Sequence, residues 1–230
     1  MHFDQLKWGW KPHEDKRDKL YPMSLALYKG IEKDLPKVTM WDLGPILNQG
    51  DHPHCVGYAW KQWLQTTPLQ TLDGPSAEDI YSQCKDLDED KSEGSSTDSG
   101  VRVMLSQGRV NTYLWAFDIT TFKQFILTQS PIVVGASWYS GMFEPDTNNY
   151  VKPGGQFSGG HEFMCYGYDD TKGSFKFVNS WSEQWGDHGT FWMLAEDVEK
   201  LIFESRAIPG DACAAVEKNL DPISTLKATS

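Results

Sequence analysis

The sequence predicts an α+β fold of two lobes, helical in the first half of the chain and an antiparallel sheet or barrel in the second. Between residues 54 and 128, apolar residues recur at helical spacing. After Ser130 the chain changes to short β-prone runs separated by glycine or aspartate. Its 230 residues suffice to bury a core in both lobes, and we expect a functional cleft between them.

Four helices are predicted in the first half of the chain. The first begins near Cys55, and its apolar positions at helical spacing are Val56, Ala59, Trp60, Trp63 and Leu64. The second follows Ser76, which with Asp79 resembles a capping box. The third and fourth are expected over residues 100–107 and 119–127.

The rest of the chain is predicted to be strands and loops. Strands are expected in the runs 132–134, 163–166, 174–178 and 190–193. Acids, serines and glycines crowd the stretch 86–100, which predicts a solvated loop. We expect a lead segment over 1–35 packed on the surface, a main domain over 36–210, and a weakly ordered tail over 211–230. Within the main domain the helical lobe covers about 54–128 and the β-rich lobe about 129–208.

Composition and charge limit the class of protein. With 39% hydrophobic and 23% charged residues the chain is too apolar to be disordered. Its longest central apolar run, 131–136, is too short to span a bilayer, so no membrane partner is expected. A net charge of −11 argues against nucleic acid as a partner. The first residues lack the pattern of a secretory signal, which favours a cytoplasmic location.

Cysteines provide the first candidate for chemistry. Cys55, Cys84, Cys165 and Cys213 stand too far apart for a CxxC zinc motif or a dense disulfide scaffold. Cys55 lies at a predicted helix start, where the helix dipole and nearby imidazoles lower the pKa of a thiol. The alternative is a buried structural thiol.

Two further stretches carry chemically capable side chains. His161 follows two glycines at the head of a β-prone run, where a histidine on its own is usually structural. Asn179 follows another such run, beside Trp181 and Trp185, which could screen a buried hydrogen bond from water. The alternative for this stretch is an aromatic corner of the core.

Together these stretches resemble the papain-like cysteine peptidases, which share a Gln-Gly six residues before a Cys, then a Gly-His, then an Asn-Ser-Trp. The resemblance runs from about Leu35 to Trp192, and the stretch 138–143 is similar to bacterial and viral members. It implies a two-lobe papain-like fold with the site in the cleft. The roles it implies are nucleophile for Cys55, base for His161, orienting residue for Asn179, oxyanion-hole donor for Gln49 and shielding indole for Trp181.

The implied activity is hydrolysis of peptide bonds through a thioester, with a polypeptide substrate, no cofactor, no metal and, by default, a monomer. The resemblance also implies that Gly135, Gly160 and Glu162 lie near the pocket for the second residue upstream of the scissile bond. Glu162 either favours a basic side chain in that pocket or points to solvent.

The sequence departs from the family pattern around the nucleophile, with His52-Pro53-His54 before Cys55. Because His52 stands where relatives have a cysteine that bridges to the position of Cys84, we expect Cys84 to be free. His54 either perturbs the thiol or is a solvated loop residue. Only about 35 residues precede the matching region, where many relatives have a long prosegment. The enzyme is then made active, or residues 1–30 lie across the cleft and regulate it.

Other functions stay open on the sequence. The loosened motif allows a papain-fold binding protein with little or no turnover. The same triad could serve an amidase or an acyl transferase. A metal site built from Asp51, His52, His54 and Cys55 is the remaining alternative, although it gives the Gln-Gly no role.

Overall fold

The computed structural model describes residues 8–12, 15–27, 35–204 and 210–216, with side chains described as far as Cys213. It is an α+β structure in which helices pack against both faces of a seven-stranded antiparallel sheet, which confirms the predicted class. The helices are α1 Cys55–Gln65, α2 Ala77–Leu87, α3 Thr97–Ser106, α4 Ile119–Thr128 and α5 Ala195–Val198. The strands are β1 Val38–Met40, β2 Thr112–Trp115, β3 Ile132–Tyr139, β4 Phe157–Asp169, β5 Ser174–Val178, β6 Thr190–Leu194 and β7 Asp211–Val216. Short 3-10 turns lie at Asp18–Leu20, Met23–Leu25 and Ser140–Met142, and a π-helical turn at Glu199–Phe203.

Local side-chain capping sets the starts of α2, α3 and α4. At α2 the Ser76 hydroxyl accepts from the Asp79 N–H at 3.0 Å while the Asp79 carboxylate accepts from the Ser76 N–H at 3.2 Å, so the capping box is confirmed. Helix α3 begins three residues before the predicted start, because Ser96 caps it at the Ser99 N–H. Residues 95–100 are buried, so the prediction of a solvated loop is wrong at that end.

The sheet has the order β2-β7-β3-β4-β5-β6, with β1 paired to the end of β4. Strand β4 is long enough, at 13 residues, to pair with β3 along its first part and with β5 and β1 along its second. This arrangement places the predicted His161 in the middle of the sheet, opposite Ala136.

Strand β7 lies inside the sheet between β2 and β3, so the expectation of a weakly ordered tail is wrong for Asp211–Val216. Ala212 and Cys213 are 1% and 0% exposed. Alanine has a low intrinsic preference for strands, and the run offers no alternation of large apolar and polar residues. Its place in the sheet comes from the neighbouring strands.

Both faces of the central strands are buried. Ile132 and Val134 belong to the core of the β-rich lobe, whereas Val133 between them packs with Trp60 and Met164 in the core of the helical lobe. Side chains of a strand point alternately to its two faces. The continuous apolar run therefore fills two cores and fixes α1 against the sheet.

The lead segment does more than pack on the surface. Met23 is fully buried in the core of the β-rich lobe, and Trp10 is only 4% exposed in the core of the helical lobe. No helix in the described ranges is long and apolar enough to cross a membrane.

Candidate active site

Cys55 is the first residue of α1 and is completely buried. Burial raises the pKa of its thiol to about 12, and the negative charge of Glu162 adds to the rise. The backbone N–H groups of Glu162, Gly9 and Val56 face the sulfur and partly offset it. The thiol is therefore protonated at neutral pH in this conformation.

The sheet register brings His161 and Asn179 together. Met164 in β4 pairs with Val178 in β5, so Asn179, the next residue, lies diagonally across from His161. The His161 Nε2–H donates to the Asn179 Oδ1 at 2.8 Å, and the same oxygen accepts from the Ser180 N–H at 2.8 Å. With its hydrogen on Nε2, the neutral imidazole presents an unprotonated Nδ1 that can take a proton.

Aromatic rings enclose this hydrogen bond. Trp181 stacks on His161 with ring centroids 4.9 Å apart, and Trp138 meets the imidazole edge-on at 5.1 Å. Burial lowers the pKa of His161 to about 4, although the bond to Asn179 works in the opposite direction. The imidazole is accordingly neutral at pH 7 while the site is closed.

Gln49 is hydrogen-bonded to Ser180, the residue that follows Asn179. Its side-chain carbonyl accepts from the Ser180 hydroxyl at 2.6 Å, and its Nε2 donates to the His52 carbonyl at 2.8 Å. The main chain also holds it, because the Gln49 N–H donates to the Ser180 carbonyl at 2.9 Å. Gly50 follows at φ 60°, in the left-handed region that glycine adopts without strain, and so turns the chain toward Cys55.

Residues 8–12, named here the covering segment, lie over Cys55 and His161. Gly9 stands against the nucleophile: a Cβ there would be 3.0 Å from the Cys55 sulfur and 2.2 Å from the Pro53 carbonyl oxygen. Trp8 meets the His161 ring edge-on at a centroid distance of 6.2 Å. Together with the surrounding core, this segment leaves Cys55 0% and His161 2% exposed.

The main chain of the covering segment is bound like a short strand. The Trp10 N–H donates to the Gly160 carbonyl at 3.1 Å. On the other side the Lys11 N–H donates to the Ser95 carbonyl, and the Ser95 N–H donates to the Gly9 carbonyl, both at 2.7 Å. The Gly9 carbonyl oxygen is therefore bonded to Ser95.

The indole of Trp10 fills the pocket in which substrate contacts were expected. A Cβ at Gly135 would lie 1.9 Å from Trp10 Nε1, and a Cβ at Gly160 would lie 2.2 Å from the Trp10 carbonyl oxygen. The indole N–H donates to the Thr97 hydroxyl at 3.0 Å, and that hydroxyl donates to the Glu162 carboxylate at 2.9 Å.

The position of the Glu162 side chain contradicts one of the two expectations stated for it. Its side chain is 0% exposed, so the idea that it points to solvent is wrong. Burial raises its pKa to about 8, an effect that Thr97 opposes and the charge of Asp211 reinforces. The carboxyl is thus mostly protonated at pH 7 and lies behind Thr97.

His54, directly before Cys55, is turned toward α2, whereas His52 is exposed. His54 bonds to the Glu78 carboxylate and stacks on Tyr81 with centroids 3.9 Å apart, which excludes the expectation of a solvated loop residue. Within the described ranges no three His, Cys, Asp or Glu side chains form a group that could hold a metal ion. Cys84 is free and buried, as expected.

Beyond Trp181 the cleft continues into an open cavity of 540 Å³. Its lining includes Asn48, Phe143, Glu144 and Trp185. The Phe143 ring stacks on the Trp181 indole at a centroid distance of 6.0 Å and lies 5.8 Å from the Trp8 ring. The cavity is lined in part by Trp181, the indole that stacks on His161.

The structure thus combines a buried Cys at a helix start with a hydrogen-bonded His-Asn pair on the sheet. The family model described as "Papain family cysteine protease" matches residues 51–209, more than half of the chain. The chain belongs to this family.

The similar proteins described next share between 14% and 27% identity with this chain over the matched residues. A cathepsin B-like cysteine proteinase of Caenorhabditis elegans is 27% identical over 95 residues, which is 40% of this chain and 25% of that protein. The chain thus matches about a quarter of that relative's length. Xylellain, a cysteine protease from Xylella fastidiosa, has a similar structure, with a TM-score of 0.70 at 18% identity over 93% of this chain and 97% of xylellain. Procathepsin B from Trypanosoma congolense gives 0.68 at 15% identity over 93% and 87% of the two chains. The bromelain protease from Ananas comosus gives 0.61 at 14% identity over 80% and 100%.

Sequence reasoning missed four residues of the site. The pocket is filled by Trp10, whose indole binds Thr97, and the neighbouring main chain binds Ser95. Ser180 connects Gln49 to the loop that holds Asn179. Two tryptophans flanking a glycine in a polar lead segment were an available signal, because such large apolar side chains seek burial. Ser95 and Thr97 lay in the stretch predicted as a loop and offered no such signal.

Proposed function

We propose that the chain is a cysteine peptidase that works through Cys55, His161, Asn179 and Gln49. In the present conformation the covering segment keeps this peptidase closed and inactive. The observation that carries this proposal is the His161–Asn179 hydrogen bond beneath Trp181, set against a cysteine at the start of α1. The family membership supports the same chemistry.

The chemistry begins once the cleft is open to water and substrate. His161 takes the proton of Cys55 at Nδ1, and the thiolate sulfur bonds to the carbonyl carbon of a peptide. The carbonyl oxygen becomes an oxyanion that the second N–H of the Gln49 amide can stabilise. The Cys55 N–H, which as the first of its helix has no intrahelical acceptor, is the second donor.

The cycle then closes on water. The imidazolium of His161 protonates the amine as the carbon–nitrogen bond breaks, which leaves a thioester on Cys55. His161 next takes a proton from water, the hydroxide bonds to the thioester carbon, and the sulfur leaves as a thiolate. Water is thus divided between the new amine and the new carboxylate. Asn179 holds the imidazole in one tautomer throughout.

The closed conformation opposes the first of these steps, the transfer of a proton from Cys55 to His161. It keeps Cys55 protonated and His161 neutral, with pKa values of about 12 and about 4. The covering segment also presents the backbone N–H of Gly9 to the sulfur, while the Gly9 carbonyl is bonded to Ser95. Cleavage would require the Gly9 carbonyl carbon to face the thiol while its oxygen binds Gln49. The oxygen binds Ser95 instead, so the segment stays in the cleft without being cut.

The test uses the full chain with Trp10→Ala, which removes the largest anchor of the covering segment. We expect this protein to hydrolyse fluorogenic peptides, and the double variant Trp10→Ala/Cys55→Ala to be inactive. Trp10→Ala/Cys84→Ala is the matched control, since Cys84 is an equally buried free thiol outside the site. Hydrolysis that survives the loss of Cys55, or no peptide cleavage although Cys55 is accessible, would contradict the proposal.

A second candidate is a papain-fold protein that binds without turnover, which the complete burial of Cys55 in the present conformation favours. The same experiment separates the two. A Trp10→Ala protein that binds peptides in the cleft and cuts none of them over hours would support binding alone.

A further inference from the structure

We propose that the pocket filled by Trp10 is a substrate subsite that selects an aromatic side chain carrying a hydrogen-bond donor. Of all side chains, this subsite prefers tryptophan. The inference rests on the proposed peptidase function and names its substrate class. The pocket is bounded by Gly135, Gly160, Thr97 and, behind Thr97, Glu162.

The shape of the pocket fits an indole. Glycine in the interior of a strand weakens the strand and marks a close approach of another group. Gly135 lies within β3 and Gly160 within β4, and in each case a single added carbon would collide with Trp10. The two glycines thus create a space that an aromatic ring, held at 4% exposure, occupies.

The polar end of the pocket is an acceptor. A threonine hydroxyl has one hydrogen, and the hydrogen of Thr97 is donated to Glu162. What Thr97 offers to the pocket is therefore a lone pair, which the indole N–H uses at 3.0 Å. A phenylalanine in the same place would leave this buried acceptor without a donor, and such a loss typically costs about tenfold or more in affinity.

A basic side chain gains less from this pocket than the position of Glu162 suggests. The carboxyl is fully buried, reaches the pocket only through Thr97, and has a pKa raised to about 8 by that burial. At neutral pH it supplies little negative charge to balance a desolvated ammonium or guanidinium group. The preference for lysine or arginine considered from the sequence is therefore replaced by one for tryptophan.

The main chain around the pocket fits an extended peptide. Ser95 uses both its N–H and its C=O on the covering segment, and Gly160 uses its C=O. When the segment leaves, these groups can bind another extended chain, as happens when a peptide adds to a sheet edge. The occupant is hence a polypeptide that places one side chain between the two glycines.

The experiment uses the full-length Trp10→Ala protein and fluorogenic peptides that differ only at the second residue upstream of the cleaved bond. We expect kcat/KM for tryptophan to exceed that for phenylalanine by about tenfold and that for arginine by more. Thr97→Val in the same background should bring the tryptophan-to-phenylalanine ratio close to one, while Thr97→Ser should retain it. An arginine or lysine optimum, equal rates for tryptophan and phenylalanine, or a ratio unchanged by Thr97→Val would overturn the proposal.

A second readout separates this proposal from the catalytic one. Non-cleavable peptides containing tryptophan or phenylalanine are tested for protection of Cys55 against iodoacetamide in the Trp10→Ala protein. Stronger protection by the tryptophan peptide supports the subsite even if no peptide is hydrolysed. Hydrolysis without any preference would leave the peptidase function intact and remove the subsite. If Thr97→Val fails to fold, the ratios in the Trp10→Ala protein still decide.

Discussion

Replacing Trp10 by alanine is expected to expose Cys55 to small alkylating reagents without unfolding the protein. The indole is 4% exposed and donates a buried hydrogen bond to Thr97. Truncating a buried tryptophan to alanine typically costs about 3–5 kcal/mol. Because the covering segment reaches the cleft through few other side chains, most of that loss falls on the closed conformation.

The size of the effect follows from the population of open molecules. Each 1.4 kcal/mol is a factor of about ten, so the open-to-closed ratio should rise by about 10²- to 10³-fold. Opening also ends the desolvation that raises the pKa of Cys55 to about 12, which increases the thiolate fraction further. We therefore predict at least about a hundredfold faster alkylation of Cys55 at pH 7.

The assay is the rate of iodoacetamide addition, followed by intact mass and assigned by peptide mapping. Lys11→Ala is the matched control in the same segment, since the Lys11 ammonium makes an exposed ion pair with Asp90 and exposed hydrogen bonds to Ser92. Such pairs contribute little, so its rate should change less than about fivefold. Cys84, Cys165 and Cys213 report global unfolding, because all three are buried. An alkylation rate of Cys55 within twofold of that in the original protein, or equal gains at all four cysteines, would contradict this prediction.

Three further predictions concern Gln49, Ser180 and Glu162. The two kinetic ones are measured in the Trp10→Ala background. Gln49→Ala should lower kcat by about 10²- to 10³-fold with little change in KM, because it removes an oxyanion donor; an unchanged kcat would contradict that role. Ser180→Ala frees the Gln49 side chain from its 2.6 Å hydrogen bond and should lower kcat by about tenfold, and Ser180→Thr, which keeps the hydroxyl, should retain more activity. The third is the pH dependence of unfolding by urea. Glu162, with its folded pKa raised from 4.5 to about 8, adds stability that is lost as pH rises toward 8. His161, with its folded pKa lowered from 6.5 to about 4, adds stability that is lost as pH falls toward 4. Glu162→Gln should therefore remove the decline in the free energy of unfolding between pH 6.5 and 8, about 2 kcal/mol, and a decline that persists would sink this assignment.

The sequence allowed prediction of those parts of the fold that local physics decides. The Ser76–Asp79 capping box and the helical spacing after Cys55 are written within a few residues, and both helices begin where expected. Strand β7 was missed because its alanines carry no strand signal and its partners lie about 80 to 100 residues earlier in the chain. Pairing with β2 and β3, rather than propensity, makes it a strand.

The residues of the candidate site were predictable from the sequence, but their burial was not. The motifs around Gln49, Cys55, His161 and Asn179 named the catalytic candidates from their order alone. Burial of these groups was not predictable, since it depends on the covering segment binding Gly160 and Ser95, which are remote in sequence. The environment of Glu162 was hidden for the same reason, because its partner Thr97 is 65 residues away.

The closed conformation and the catalytic pair of Cys55 and His161 are tested together by labelling with an epoxide-type cysteine-peptidase inactivator, with reductant present, in the original protein and in Trp10→Ala. We predict one adduct, on Cys55, that forms slowly in the original chain and rapidly in Trp10→Ala, and that is lost when His161→Ala is added. Rapid labelling of the original chain would contradict the closed conformation. No adduct on Cys55 in the opened protein, or an adduct that survives the loss of His161, would contradict the proposed catalytic pair.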